Sequence, residues 1–201
     1  MKLHRRISHA IAVLLVTIAA AGCGHLPSQG WITLIDGNSG MENWEITGSG
    51  NWRAEDGAIQ ADKRTTKDAS ILVSKRSFKD LELYAEFWAS EDTNSGLYIR
   101  AMNPKQVSTS TGAYEVQIWD KNPNASSSTG ALLPVTSVKP IYKAGGRWNT
   151  LEVYAKGPEI TVKLNGEVTA VANDGKFPEG RIGLQFNTGP IKFRTLRVRE
   201  L

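Results

Sequence analysis

Between Asp80 and Ala89, apolar and polar residues alternate without a break. That period of two predicts a strand at 80–89 with one buried and one open face. The same alternation runs through Tyr114-Glu115-Val116-Gln117-Ile118-Trp119-Asp120, where Glu115, Gln117 and Trp119 share one face and Tyr114, Val116 and Ile118 the other. In Asn94-Ser95-Gly96-Leu97-Tyr98-Ile99-Arg100, Leu97 and Ile99 oppose Tyr98 and Arg100. Further strands are predicted at 31–35, 52–61, 71–73, 96–101, 113–119, 150–155, 159–164, 167–172, 181–186 and 191–199. Asp56-Gly57 and Asn165-Gly166 carry the residues that two-residue hairpin turns require. Many short strands with closely spaced turn signals predict an all-β sandwich or barrel. Loops at 103–112 and 121–140 adjoin the Arg100 and Glu115 strands and are placed to form the rims of a cleft.

The N-terminus follows a different pattern. Lys2, Arg5 and Arg6 precede an apolar run at 11–21 that is short for a membrane span, and Ala20-Ala21-Gly22-Cys23 follows. This is the layout of an export signal, to be set aside from fold reasoning. Small residues before the chain's one cysteine resemble a bacterial lipobox, in which the cysteine is acylated after cleavage and anchors the protein to a bilayer. The organisation read from this is 1–22 signal peptide, 23–30 lipidated anchor and tether, and 31–201 one domain. An ordinary cleaved signal or an uncleaved N-terminal anchor, with Cys23 incidental, is the alternative. By analogy with enteric lipoproteins, Gly24 after Cys23 favours a cell-envelope location on the outer membrane, facing the periplasm.

Removing the leader changes the charge. The whole chain has 24 basic and 20 acidic residues; Lys2, Arg5 and Arg6 lie before Cys23, which leaves 21 against 20. No basic stripe remains, so nucleic acid is not an expected partner. His4, His9 and His25 are the three histidines, and none falls within 31–201. A histidine-based triad, a thiol nucleophile and an ordinary zinc site are thereby excluded from the domain. No metal or cofactor is expected, with a structural Ca²⁺ left open for this architecture.

Read in order, several stretches resemble the 3-keto-disaccharide hydrolase domain family. They are Gly30-Trp31-Ile32-Thr33-Leu34-Ile35-Asp36-Gly37 with Trp44; Trp52-Arg53-Ala54-Glu55-Asp56-Gly57; Phe78-Lys79-Asp80-Leu81-Glu82-Leu83; and the Asn94–Arg100 and Tyr114–Ile118 stretches. Thr129-Gly130-Ala131-Leu132, Trp148-Asn149, Arg181-Ile182-Gly183-Leu184-Gln185, and Phe193-Arg194 with Arg197-Val198-Arg199 complete the set. The resemblance implies a concanavalin A-like jelly roll of two antiparallel sheets with a concave sugar-binding face. It also implies cleavage of glycosides already oxidised at C3. One departure stands out: many members carry His after the Gly-Leu-Gln stretch, where this chain has Gln185-Phe186-Asn187.

Ordinary glycoside hydrolysis uses two carboxylates about 5 to 9 Å apart. The 115–119 face offers one, Glu115, unless Glu86 supplies the second. A 3-keto sugar needs less, because the ketone acidifies C2–H and one base suffices. Glu115 is the expected base and Arg100 the expected electrostatic stabiliser. Gln117, Asn94, Gln185, Asn187 and Glu86 are candidates for binding hydroxyls, and Trp119 for stacking on a ring. The alternative for Glu115 and Arg100 is a cross-strand ion pair on a wet sheet face, worth under about 1 kcal/mol. The alternatives to an enzyme are a non-catalytic carbohydrate-binding lipoprotein and an envelope scaffold.

Overall fold

The computed structural model describes residues 30–201. The expected signal segment, Cys23 and most of the tether lie outside the described residues. Fourteen strands build the domain. Their first half comprises β1 (Trp31–Asp36), β2 (Trp44–Thr47), β3 (Arg53–Glu55), β4 (Ala58–Ala61), β5 (Ser70–Phe78), β6 (Leu81–Ala89) and β7 (Asn94–Ala101). The rest are β8 (Tyr114–Ile118), β9 (Leu132–Leu133), β10 (Arg147–Lys156), β11 (Glu159–Leu164), β12 (Glu167–Asn173), β13 (Gly180–Thr188) and β14 (Ile191–Glu200). Three one-turn 3₁₀ helices sit in loops.

The strands form two antiparallel sheets. One runs β12-β11-β10-β6-β14-β4-β3, with β1 also paired to β14; the other runs β2-β5-β13-β7-β8-β9. The expected all-β sandwich is what forms, and the hairpins turn where the sequence placed them. Asp56 and Gly57 have φ of 53° and 73°, Asn165 and Gly166 of 51° and 84°. Positive φ at both central positions gives the twist that a two-residue hairpin needs.

Strict alternation explains the core. In β6, Leu81, Leu83, Ala85 and Phe87 are buried, while Glu82, Tyr84, Glu86 and Trp88 are half-buried on the other face. From the opposite sheet, Leu97, Val116, Ile118, Leu184 and Phe186 join the same apolar cluster. Each such side chain contributes about 1.5–3 kcal/mol on burial, which suits a described domain without a cysteine. β2 and β9 are too short to show a period and were not expected. β5 has nine residues where the pattern predicts a strand only at 71–73.

Candidate functional site

The outward face of the six-stranded sheet carries two adjacent cross-strand rows. The first is Ile71, Gln185, Gly96 and Gln117; the second is Val73, Gly183, Tyr98 and Glu115. Direct partners in an antiparallel pair point to the same side. Glu115 and Gln117 therefore do share a face, as the alternation of β8 predicts.

Glycines make the rows passable. A β-carbon at Gly96 would lie 2.2 Å from Oε1 of Glu115, so the carboxyl occupies the space that any side chain at 96 would fill. At Gly183 a β-carbon would press on Tyr98 Cβ and Cδ2 at 3.2 Å. The bare backbone at 96 and 183 thus lets Glu115 and the Tyr98 ring lie down across their neighbours.

Glu115 is 7% exposed. Burial pushes its carboxyl up to about 7, and a hydrogen bond from the Tyr98 hydroxyl pulls the other way. Tyr98 is itself buried, and burial together with the nearby carboxylate raises its phenol well above the ordinary value. The Gln185 amide donates to the same hydroxyl at 2.7 Å (Nε2 to Oη), leaving the phenolic proton directed to Glu115. Gln185, Tyr98 and Glu115 form one chain across β13, β7 and β8. An acid with a pKa near neutrality can hold or release a proton at working pH.

The walls come from packing and from the loops. Ile71, Val73, Tyr98, Ala101, Val107 and Ala113 form a small apolar cluster on this face, with Val107 contributed by the 102–113 loop. On the other side, Glu115 pairs with Leu133 in β9, and Gln117 exchanges backbone bonds with residues 130 and 131. Asp120 accepts hydrogen bonds from Thr129 Oγ1 at 2.6 Å and from the Ala144 and Gly145 amides at 2.9 and 2.8 Å. It ties the middle of the long 121–140 loop and the segment that follows it to the end of β8.

Arg100 does not join this group. A register shift where β7 meets β13 adds a residue to β7, and Arg100 takes a left-handed φ of 53°. The bulge breaks the alternation. Ala101 takes the outward place beside Tyr98, and Arg100 is fully buried. Its Nε and Nη1 donate to the carbonyls of Lys79 and Gly157 at 2.8 Å, and its Nη2 to Asp80 Oδ1 at 3.1 Å. This guanidinium stitches turns together at one end of the sandwich, so Arg100 is not the electrostatic stabiliser expected beside Glu115, nor its alternative as a cross-strand ion pair with it.

Glu86 is also placed elsewhere, on the outer face of the eight-stranded sheet. Burial raises its carboxyl, but Arg194 Nε at 2.6 Å, Tyr84 and Thr195 outweigh this and hold it below its usual value. It is an ion-paired carboxylate with no access to Glu115, so the site has one carboxylate. Trp119 is half-buried and lies one residue beyond the end of β8. Asn94 pairs with Thr188 at the open end of β7, and Asn187 lies in the bulge between Phe186 and Thr188. Gln117 is buried, its Oε1 accepting from the Ile118 amide at 3.2 Å. Tyr98, Gly96 and Gly183 were not singled out from sequence, although pairing of the two motif strands in register would have set Tyr98 opposite Glu115. Among the described residues no group of three or more His, Cys, Asp or Glu is arranged to hold a metal ion.

This chain belongs to the 3-keto-alpha-glucoside-1,2-lyase-like domain family, whose family model matches residues 30–199. Among solved structures it is similar to two Parabacteroides distasonis proteins provisionally named glycosyl hydrolases. One is 22% identical, with 85% of this chain and 99% of that one covered at a TM-score of 0.69. The other is 18% identical, with 87% and 95% covered at a TM-score of 0.73. A Bacillus subtilis carbohydrate-binding module of family CBM66 is 16% identical, with 85% and 96% covered at a TM-score of 0.54. These likenesses show a shared fold. A search of curated proteins gives no match.

Proposed function

We propose that this protein cleaves 3-keto-glycosides by elimination, with Glu115 as the base. The observation that carries the reading is a single buried carboxyl, with a pKa of about 7, set over glycine and held by Tyr98. Membership of a 3-keto-alpha-glucoside-1,2-lyase-like family supports the substrate class, and the fold shared with a carbohydrate-binding module agrees with a sugar ligand.

The chemistry follows from one base. Glu115 takes the proton from C2, and the C–H electron pair becomes the C2=C3 enolate stabilised by the former ketone. Collapse of the enolate expels the oxygen at C1 and leaves a C1=C2 double bond. The proton on Glu115 then passes to the departing oxygen, which restores the carboxylate. Water can add across the double bond afterwards to complete a net hydrolysis. In this reading Gln185 and Tyr98 orient the carboxyl, and Gln117, Asn94 and Asn187 are assigned to substrate hydroxyls. No second carboxylate is needed, in keeping with Glu86 being ion-paired on the other sheet.

A binding-only lipoprotein is the second reading, and Asn187 favours it, since Asn cannot take up a proton where family members carry His. The deciding experiment offers the protein a 3-keto-glucoside and the matching unoxidised glucoside and follows aglycone release. Release from the keto compound alone, lost in Glu115→Gln, supports the lyase reading. Saturable binding without release from either compound would replace it with the binding reading.

We also infer, from Ala20-Ala21-Gly22-Cys23, that Cys23 is acylated and tethers the domain to the cell envelope at the outer membrane. Incorporation of labelled fatty acid that disappears in Cys23→Ala is the expected result.

A further inference from the structure

On the opposite side of the sandwich, the outer face of the eight-stranded sheet holds a groove of about 600 Å³. It too is built from register. One cross-strand row is Arg197, Tyr84, Glu152 and Lys163; the next is Trp31, Arg199, Glu82, Tyr154 and Thr161. The rows cross β1, β14, β6, β10 and β11. Four strand spacings of about 4.8 Å give roughly 19 Å, the length of an oligosaccharide and more than one ring.

Two carboxylates on this face have ion-pair partners. Glu82 pairs with Arg199, and Glu86 with Arg194. The groove floor differs. Among the described residues, Glu152, Tyr154 and Lys163 make no side-chain hydrogen bond or ion pair, although Glu152 and Lys163 are register partners. Arg197, opposite Tyr84 where its neighbours on β14 meet glutamates, is instead held between rings. Its guanidinium carbon stands 5.0 Å from the Trp31 centroid and 4.8 Å from that of Tyr84. Arg197 Nε is buried without a hydrogen-bond partner.

The groove therefore presents a fixed cationic donor, a second cation, a carboxylate and the half-buried Tyr154 with its phenol. The Glu82–Arg199 pair cancels, which leaves Glu152 against Lys163 and Arg197 and one net positive charge over the two rows. A polyanion laid along the groove would meet Glu82 and Glu152 as well as the cations, and a single net charge is little to hold it at physiological salt. Alternating donors and acceptors beside an aromatic ring suit vicinal hydroxyls, which donate to carboxylates and accept from cations.

We propose that this groove is an accessory binding site for a neutral oligosaccharide, separate from the Glu115 site and on the opposite face. Its part is to hold a glycan chain near the domain while the Glu115 face acts on oxidised sugar. The site does not depend on the activity proposed for Glu115, and the two are tested apart.

The test uses the full chain in detergent with neutral tetrasaccharides of glucose, mannose and xylose, a tetraglucuronate, and phosphatidylglycerol vesicles. Saturable binding of at least one neutral tetrasaccharide is expected. Tyr154→Ala and Glu152→Ala should each weaken it about 10-fold, as loss of an aromatic platform or of a charged hydrogen-bond acceptor does. Thr161→Trp, which fills the groove from a half-buried position, should abolish it. Glu115→Gln should leave this binding unchanged, and Tyr154→Ala should leave turnover of a 3-keto-glucoside unchanged. The proposal is overturned by absence of binding to all three neutral sugars, by binding that survives both Tyr154→Ala and Thr161→Trp, by preference for the tetraglucuronate, or by adsorption to the vesicles without sugar binding.

Discussion

Glu115 lies across the backbone of Gly96: a β-carbon at 96 would stand 2.2 Å from its Oε1 and 2.9 Å from its Cγ. No left-handed φ compels glycine at this position. Space alone does, because the carboxyl that is to act as base already fills it. Gly96→Ala is therefore expected to swing Glu115 away from Tyr98. Activity on a 3-keto-glucoside should fall about 100-fold, the scale for a misplacement of ~1 Å, with about 1–3 kcal/mol lost to overpacking. Kinetics and denaturant unfolding on the one variant measure both.

Removing the carboxylate should cost activity and gain stability. Glu115→Gln should lower turnover of a 3-keto-glucoside about 10²–10⁴-fold, the usual worth of a general base. The native carboxyl titrates at about 7 and an ordinary one near 4.5. Between those values the native state binds the extra proton, so the stability of the unmodified protein falls as pH rises through the window and then levels off. The Gln variant lacks that fall. At pH 8 it should be more stable by up to about 3 kcal/mol, and at pH 4 nearly equal, as urea titrations at both values would show.

The same group sets the pH profile. As a base, Glu115 works when ionised, so kcat/KM should rise with pH along an acid limb centred at about 7. The Tyr98 hydroxyl favours the ionised carboxyl. Tyr98→Phe should move the limb to higher pH, and Gln185→Leu, which frees the hydroxyl from its donor, should change it less. A limb that stays in place in Tyr98→Phe would show that Tyr98 does not set the proton affinity of the base.

Arg100 should behave as a structural residue. Arg100→Met leaves Asp80 and the carbonyls of Lys79, Gly157 and Phe177 without their common donor. Breaking such a buried ionic contact costs about 3–5 kcal/mol, which would lower the melting temperature by about 10 °C in a domain of this size. In whatever fraction remains folded, the acid limb of kcat/KM should not move. A shifted limb with an unchanged melting temperature would place Arg100 in the site after all.

Period-two alternation and turn chemistry made the strands and the sandwich legible, since both act over a few residues. Asp56-Gly57 and Asn165-Gly166 fix their hairpins whatever the rest of the chain does. Alternation in β8 placed Glu115 and Gln117 on one face for the same reason. It stopped working where the backbone left its regular pleat. One added residue at the β7 bulge sends Arg100 inward and Ala101 outward, and residues 94–100 alone carry no sign of it.

Which strands become neighbours was decided only by the tertiary structure. Glu86 and Glu115 both read as outward carboxylates, yet their strands lie in different sheets, so the two point away from each other across the core. Tyr98 meets Glu115, and Gly96 makes room for it, because β7 and β8 pair in one register out of several that local pattern allows. Sequence by itself determined the strand periods, the hairpin turns and the face that Glu115 shares with Gln117. Sheet membership, register and the burial that lifts Glu115 depend on contacts between residues far apart in the chain, and those are set by closing a common core.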